Sequence, residues 1–173
     1  IVNEILEKSR VSEKCSNSIR GTLLGFQNSE IAAMKLFDAW GKGPSGILEG
    51  TYTSLGSYDE CLQINSKEEP KTTQYCTILF SNALPPRKAY HNILHQITIF
   101  SNKTKNVLED EFVLKHAENA HYMYYMPLRV GACLPATCKQ DEIETMAKIA
   151  ASKLALKAKV KLCEDRNVLK LHF

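Results

Sequence analysis

Leu128-Arg129-Val130-Gly131-Ala132-Cys133-Leu134-Pro135-Ala136-Thr137-Cys138 is the stretch that decides the fold, because the hydrophobic pattern changes period across it. On its N-terminal side, Tyr122 to Leu134 is rich in Tyr and Met and carries Val130 and Cys133. Aromatic and β-branched residues favour a pleated, half-buried surface, so this segment reads as a strand. On the other side, Thr137 and Gln140 make a Thr-x-x-Gln helix-start pattern. Asp141, Glu142 and Glu144 follow, where carboxylates complement the helix dipole. Ile143, Met146, Ala147, Ala150, Leu154 and Ala158 then form an apolar stripe, and no Pro or Gly interrupts 139–162. The spacing predicts a helix of about six turns ending near Cys163. Cys133 and Cys138 flank the joint between strand and helix.

Working outward, Tyr75–Phe80 and Ile93–Phe100 read as further strands, and 107–120 as a short helix. Exposed connections are marked by Lys67-Glu68-Glu69-Pro70 and Pro85-Pro86. The first forty residues read as helical. Val11, Cys15, Ile19, Leu23 and Phe26 lie on one helix face. Asn28 and Ser29 can cap a second helix carrying Ile31, Met34, Phe37 and Trp40. Gly41 and Gly43-Pro44 stop it, and residues 41–60 are a glycine-rich series of turns. The expected fold is α+β, disulfide-stabilised, with helices at both ends and a small, mainly antiparallel sheet between them.

A chain of 173 residues with 44% hydrophobic and 24% charged residues suits one globular domain. We take 1–173 as that domain, with its core at about 12–163 and a linker at 164–173. The formal net charge of +3 is too mild to argue for nucleic-acid binding. No apolar run reaches the roughly 18 residues of a membrane span. The opening Ile1-Val2-Asn3-Glu4 has neither the basic nor the apolar region of a signal peptide, and the absent initiator Met suggests a processed chain or a fragment.

The six cysteines are Cys15, Cys61, Cys76, Cys133, Cys138 and Cys163. None has the C-x-x-C spacing of a zinc site or redox motif. An even count spread along the chain points to disulfides and an oxidising compartment; buried free thiols in a cytosolic protein are the competing reading. Of the pairings open to six cysteines, Cys61–Cys76 is expected, leaving Cys15 and the C-terminal three to crosslink the ends. Asn102-Lys103-Thr104 is an N-glycosylation sequon, which agrees with a secretory location.

Candidate chemistry is sparse. His91 and His95 are spaced for one helix face, and His116 and His121 lie downstream, but no metalloprotease Glu sits between the first two. Solvated histidines are the default, and no metal site is expected. Ser45 and Ser57 stand among glycines without the Gly-x-Ser-x-Gly elbow of a hydrolase, and no phosphate- or dinucleotide-binding glycine pattern exists. No catalytic residue and no cofactor is assigned. Lys153, Lys157 and Lys161, with Lys148 and Lys159, are candidates for contact with anionic headgroups, but a solvated helix face whose cations suit the C-terminal dipole is the favoured reading. Tyr122, Tyr124 and Met126, with Leu154 of the last helix, are candidate lining for an apolar ligand pocket, although such residues more often are simply core.

Four stretches together resemble one family. They are Trp40-Gly41 with Pro44-Ser45-Gly46-Ile47-Leu48-Glu49-Gly50; Leu55-Gly56-Ser57-Tyr58-Asp59-Glu60-Cys61-Leu62; Gln74-Tyr75-Cys76; and Leu128 to Cys138 with the acidic helix start. The chain is similar, over about residues 12 to 163, to the N-terminal domain of the nose-resistant-to-fluoxetine family of invertebrate membrane proteins. The resemblance implies a domain outside the cytosol, ahead of a multi-pass, acyltransferase-3-like membrane region, in proteins associated with lipid or yolk transport and uptake of hydrophobic drugs. It transfers the six-cysteine scaffold and no catalytic residue. Asp59, after a turn and before Cys61, is taken as scaffold that bonds local backbone N–H groups. The function expected is a noncatalytic extracellular or lumenal domain that binds a lipid, a hydrophobic small molecule or its parent's membrane region. A secreted protein-interaction module is the alternative, and a hydrolase or transferase using His and Ser residues comes third.

Overall fold

A computed structural model of the protein describes residues 2–47, 50–64, 73–82 and 126–165. Three helices open the chain: α1 (Val2–Ser9), α2 (Glu13–Gln27) and α3 (Ile31–Asp38). Ser12 starts α2, its hydroxyl accepting the Cys15 N–H at 3.4 Å. The Asn28 N–H closes α2 onto the Leu24 carbonyl and the Ser29 N–H onto that of Phe26, with Ser29 turning the chain at φ 59°. Neither residue caps α3 as expected, since its first turn follows Glu30, which makes no side-chain cap. The apolar stripe of α3 faces outward at its start, while Phe37 is half-buried and Trp40 packs inward. Ala33, Leu36 and Ala39 are buried, whereas Ile31 is 73% exposed and Met34 48%.

Four strands follow: β1 (Thr53–Ser54), β2 (Thr73–Asn82), β3 (Leu128–Pro135) and β4 (Leu156–Glu164). They form one sheet in the order β1-β3-β2-β4. β1 runs parallel to β3, and β2 is antiparallel to both β3 and β4. Helix α4 (Tyr58–Gln63) follows β1, and α5 (Gln140–Ser152) joins β3 to β4. With helices beside a small mixed sheet, the fold is α+β as the sequence suggests. Two elements, β1 and α4, arise inside the segment read only as turns. The strand expected at Ile93–Phe100, the helix at 107–120, Asn102 and all five histidines lie outside the described residues.

The last helix is about half as long as its sequence suggests. α5 ends at Ser152, Ala155 takes φ 54°, and the chain returns as β4. Strand pairing explains why. In Leu156-Lys157-Ala158-Lys159-Val160-Lys161, the apolar residues alternate with lysines, a period of two. Ala158 and Val160 are buried while Lys157, Lys159 and Lys161 are exposed. Hydrogen bonding to β2 across eight paired positions outweighs the helix propensity of the Lys and Ala residues. α5 then lies along the outer side of β4. The Val160 and Cys163 N–H groups donate to Glu144 and Gln140 at 3.2 Å each, which satisfies part of an otherwise bare sheet edge.

The helix start is also set differently. Lys139, not Thr137, is the N-cap. The Glu142 carboxylate accepts the Lys139 N–H at 2.7 Å and the Ser12 N–H at 2.6 Å, so one side chain serves the N-termini of both α5 and α2.

All six cysteines are paired, and the pairs differ from the expected Cys61–Cys76. The bridges are Cys15–Cys138, Cys61–Cys133 and Cys76–Cys163, spanning 123, 72 and 87 residues. The alternation of strand faces accounts for this. Tyr75 points to one side of the sheet, where α4 brings Cys61 against Cys133, Leu36, Ala39, Leu62 and Ile64. Cys76 points to the other, into a core with Cys15, Ile78, Ala132, Cys138, Ile143, Ala151, Ala158 and Val160. Cys61 and Cys76 therefore belong to opposite faces. Trp40 packs at the edge of both cores and donates its indole N–H to the Cys133 carbonyl.

Each bridge closes a long loop, and such crosslinks each stabilise by about 3–5 kcal/mol. The Cys15→Ser/Cys138→Ser pair should therefore lose about 3–5 kcal/mol in urea unfolding under non-reducing conditions, with the other two bridges confirmed by peptide mapping.

Burial resists ionisation of Glu142, but the Lys139 and Ser12 N–H groups outweigh it and hold the carboxyl below its ordinary value. With the folded pKa below the unfolded one, the stabilisation is present above the unfolded value and disappears as pH falls through the folded one. Glu142→Gln should cost about 1–2 kcal/mol near neutral pH and much less in strong acid, read from denaturation midpoints across the acid range.

Candidate functional site

The side of the sheet that carries Tyr75 is covered only in part. Beyond α4, it opens as a cleft of about 640 Å3 among the described residues. Leu55, Gly56, Ser57, Tyr58 and Asp59 form one wall; Tyr75 and Thr77 of β2, Arg129 of β3 and Lys161 and Leu162 of β4 supply the rest. The strand register explains this grouping. Gly131 and Leu162 stand opposite Thr77 on either side, and Cys133 and Glu164 stand opposite Tyr75. A shift in register between Thr77 and Ile78 places Lys161 as the unpaired residue of β4.

Two glycines make the cleft wall. Gly56 turns the chain at φ 64° between β1 and α4, where a Cβ would strike the Ala39 carbonyl. The next N–H, of Ser57, donates to that same carbonyl at 3.0 Å. Gly131 lies under the Tyr75 ring, where a Cβ would run into the Tyr75 hydroxyl and the Leu55 carbonyl. The missing side chain lets the Tyr75 hydroxyl donate to Leu55 O at 2.6 Å, which ties the cleft wall to the central strand.

Tyr58 and Tyr75 meet edge to face, with ring centroids 5.0 Å apart and planes at 74°. Burial pushes the Tyr58 hydroxyl up, and the Glu164 carboxylate, which accepts its hydrogen bond, raises it further. Burial also raises Tyr75, with smaller contributions from Tyr58 and Glu164. Both phenols stay protonated at neutral pH, and their single O–H groups are given to Glu164 and to Leu55 O, so the pair offers aromatic surface rather than charge. Arg129 and Lys161 bring positive charge to the same cleft, and no acidic side chain among the described residues forms an ion pair with either.

The residues singled out in the sequence fall unevenly around this cleft. Lys161 lines it; Lys157 is exposed further along β4. Lys153 is elsewhere, at the end of α5, where it pairs with Glu4 of α1 at 2.5 Å. That bond, joined by Lys8, lowers Glu4 to about 2. The three lysines thus do not share a helix face. Met126 is exposed before β3, and Leu154 is exposed in the turn after α5; neither lines the cleft. Tyr122 and Tyr124 lie outside the described residues. Asp59 stands exposed in the first turn of α4, on the cleft wall. Ser57 is also on the wall, and all five histidines are outside the described residues. No cluster of three or more His, Cys, Asp or Glu suited to a metal occurs among the described residues. Tyr58, Tyr75, Thr77 and Arg129 were not predicted. Their signal was the alternation of Tyr75 and Thr77 along β2, opposite the small Gly131.

The fold and cleft define a small disulfide-tied α+β domain with an open cleft on one sheet face. Residues 15–147 match the family model described as "Nose resistant-to-fluoxetine protein, N-terminal domain", and the chain belongs to that family. It is 26% identical over 133 residues to "Nose resistant to fluoxetine protein 6" of Caenorhabditis elegans, a match covering 66% of this chain and 14% of that relative. The relative is thus much longer than the segment this chain matches. No solved structure gives a significant match.

Gly131→Ala should push the Tyr75 hydroxyl off Leu55 O and cost about 1–3 kcal/mol, measured by urea unfolding. Loss of the Tyr58–Tyr75 ring contact should appear as changed aromatic near-UV circular dichroism.

Proposed function

We propose that this chain is a noncatalytic extracellular or lumenal domain of a larger, acyltransferase-like membrane protein, and that it takes up a lipid or another hydrophobic small molecule in the Tyr58–Tyr75 cleft. The observation that carries the reading is the cleft itself. It pairs the two tyrosines with Leu55 and Leu162, both about half exposed, on the open side of a sheet whose other face carries the larger buried core. Apolar side chains left in a concave site gain by covering with an apolar ligand. Three bridges across the whole scaffold support an oxidising compartment. The length of the worm relative supports a larger parent whose membrane portion would receive or supply the ligand. No helix among the described residues is long and apolar enough to cross a membrane.

One observation favours the protein-interaction alternative. Ile31 and Met34 of α3 and Phe26 of α2 are exposed beside Phe37, whose ring lies 4.6 Å from that of Phe26. Grouped apolar exposure of this kind suits a protein contact. The two readings separate in one experiment. Delipidated protein is incubated with a mixed lipid extract and examined by native mass spectrometry. Stoichiometric lipid adducts that disappear with Leu55→Asp/Leu162→Asp are expected; a folded protein that retains no lipid would refute the uptake reading.

A further inference from the structure

The charges around the cleft are not mixed at random. Asp59 follows Tyr58 on the wall, and Glu164 stands opposite Tyr75 and accepts the Tyr58 hydroxyl hydrogen bond. Both carboxylates therefore sit at the tyrosine end. Toward the other end come Thr77, Lys161 and then Arg129, which is opposite Leu79. At about 3.4 Å per residue, the Thr77 row lies about 7 Å along β2 from the Tyr75 row. The cleft is thus aromatic at one end, with Asp59 on its wall and Glu164 behind the Tyr58 hydroxyl, positive at the other, and edged by Leu55 and Leu162.

Neither a simple anion nor a simple cation suits such a site. An anion bound at Arg129 and Lys161 leaves the two carboxylates unmatched. A cation at the tyrosines leaves the two basic groups unmatched. A ligand carrying both charges a few ångströms apart matches both ends. Tyrosine rings with flanking carboxylates attract quaternary ammonium through the ring quadrupole and direct Coulomb attraction. Arg and Lys bind phosphate oxygens, Arg through two N–H groups at once. The Thr77 hydroxyl lies between the two ends as a further donor.

We infer that the cleft binds the zwitterionic phosphocholine-type headgroup of a lipid, with the ammonium between Tyr58, Tyr75, Asp59 and Glu164 and the phosphate on Lys161 and Arg129. This rests on the lipid-binding reading and adds the headgroup to it. The tails leave over Leu55 and Leu162.

The test uses the 173-residue chain and dihexanoyl lipids below their micellar concentration, by isothermal titration calorimetry. Dihexanoyl phosphatidylcholine should bind at one site, about tenfold or more tighter than the matching phosphatidic acid. Arg129→Gln/Lys161→Gln and Asp59→Asn/Glu164→Gln should each weaken it by about tenfold, the first pair abolishing the phosphate preference and the second the choline preference. The headgroup series on the unaltered chain decides the matter even where a variant folds poorly. Equal binding of all headgroups, or tighter binding of phosphatidic acid, overturns the headgroup assignment and leaves lipid uptake standing. Free phosphocholine binding as tightly as the lipid overturns the lipid source. No binding of any lipid overturns both this assignment and the uptake reading.

Discussion

The N-termini of α2 and α5 meet at one carboxylate and one disulfide. Glu142 accepts the backbone N–H of Ser12 and of Lys139, and Cys15–Cys138 joins the same two helix starts a few atoms away. Backbone donors at a helix start need partners, and two starts placed side by side would otherwise repel through their positive dipole ends. The single negative charge satisfies both and makes their approach favourable. From this point α5 runs back along the sheet, Ile143 and Ala151 seal the core, and β4 is brought against β2. Gln74, buried in β2, extends the junction by donating to the carbonyls of Pro135 at 2.9 Å and Cys138 at 2.5 Å. The end of β3, the turn and both helices are therefore one hydrogen-bonded unit.

That unit builds one face of the sheet and leaves the other to a different set of residues. On the second face, α4 and Cys61–Cys133 cover the Tyr75 end, and nothing among the described residues covers Thr77 and Arg129. A rigid, crosslinked sheet with one incompletely covered face is a suitable platform for recognition, because its side chains are positioned before a ligand arrives and lose little entropy on binding. Gly131 and Gly56 hold the wall of the cleft close to the strand, so its shape is set by backbone contact and not by a flexible side chain. These features accompany a family membership that covers one segment of a much longer relative.

Much of the fold was legible in the residues. The strand at Cys76, the strand at Val130 to Leu134 and the helix beginning after Cys138 follow from period and helix-start chemistry alone. The helix at Cys15 follows from its stripe. The misreadings have physical causes. Residues 153–162 carry apolar positions that satisfy both a period near 3.6 and a period of two, and only the presence of β2 selects the strand. Ile31, Met34 and Phe37 lie at helical spacing as read, but α3 turns Ala33 and Leu36 inward, because Ala33 packs closely under α2 near Gly25. Short elements such as β1 and α4 have too few residues to show a period.

The site was less legible than the scaffold. Tyr58, Tyr75, Arg129 and Lys161 come from four elements far apart in the chain, and no local pattern links them. The sequence by itself determined the α+β class, the family and the presence of six cysteines in a chain that crosslinks itself. Those are carried by local periodicity, composition and contiguous motifs. Only the tertiary structure decided which cysteines meet, that the lysine-rich tail is a strand, and that tyrosines and cations share a cleft. Each of these depends on strand register and sheet face, which are set by pairing between distant segments.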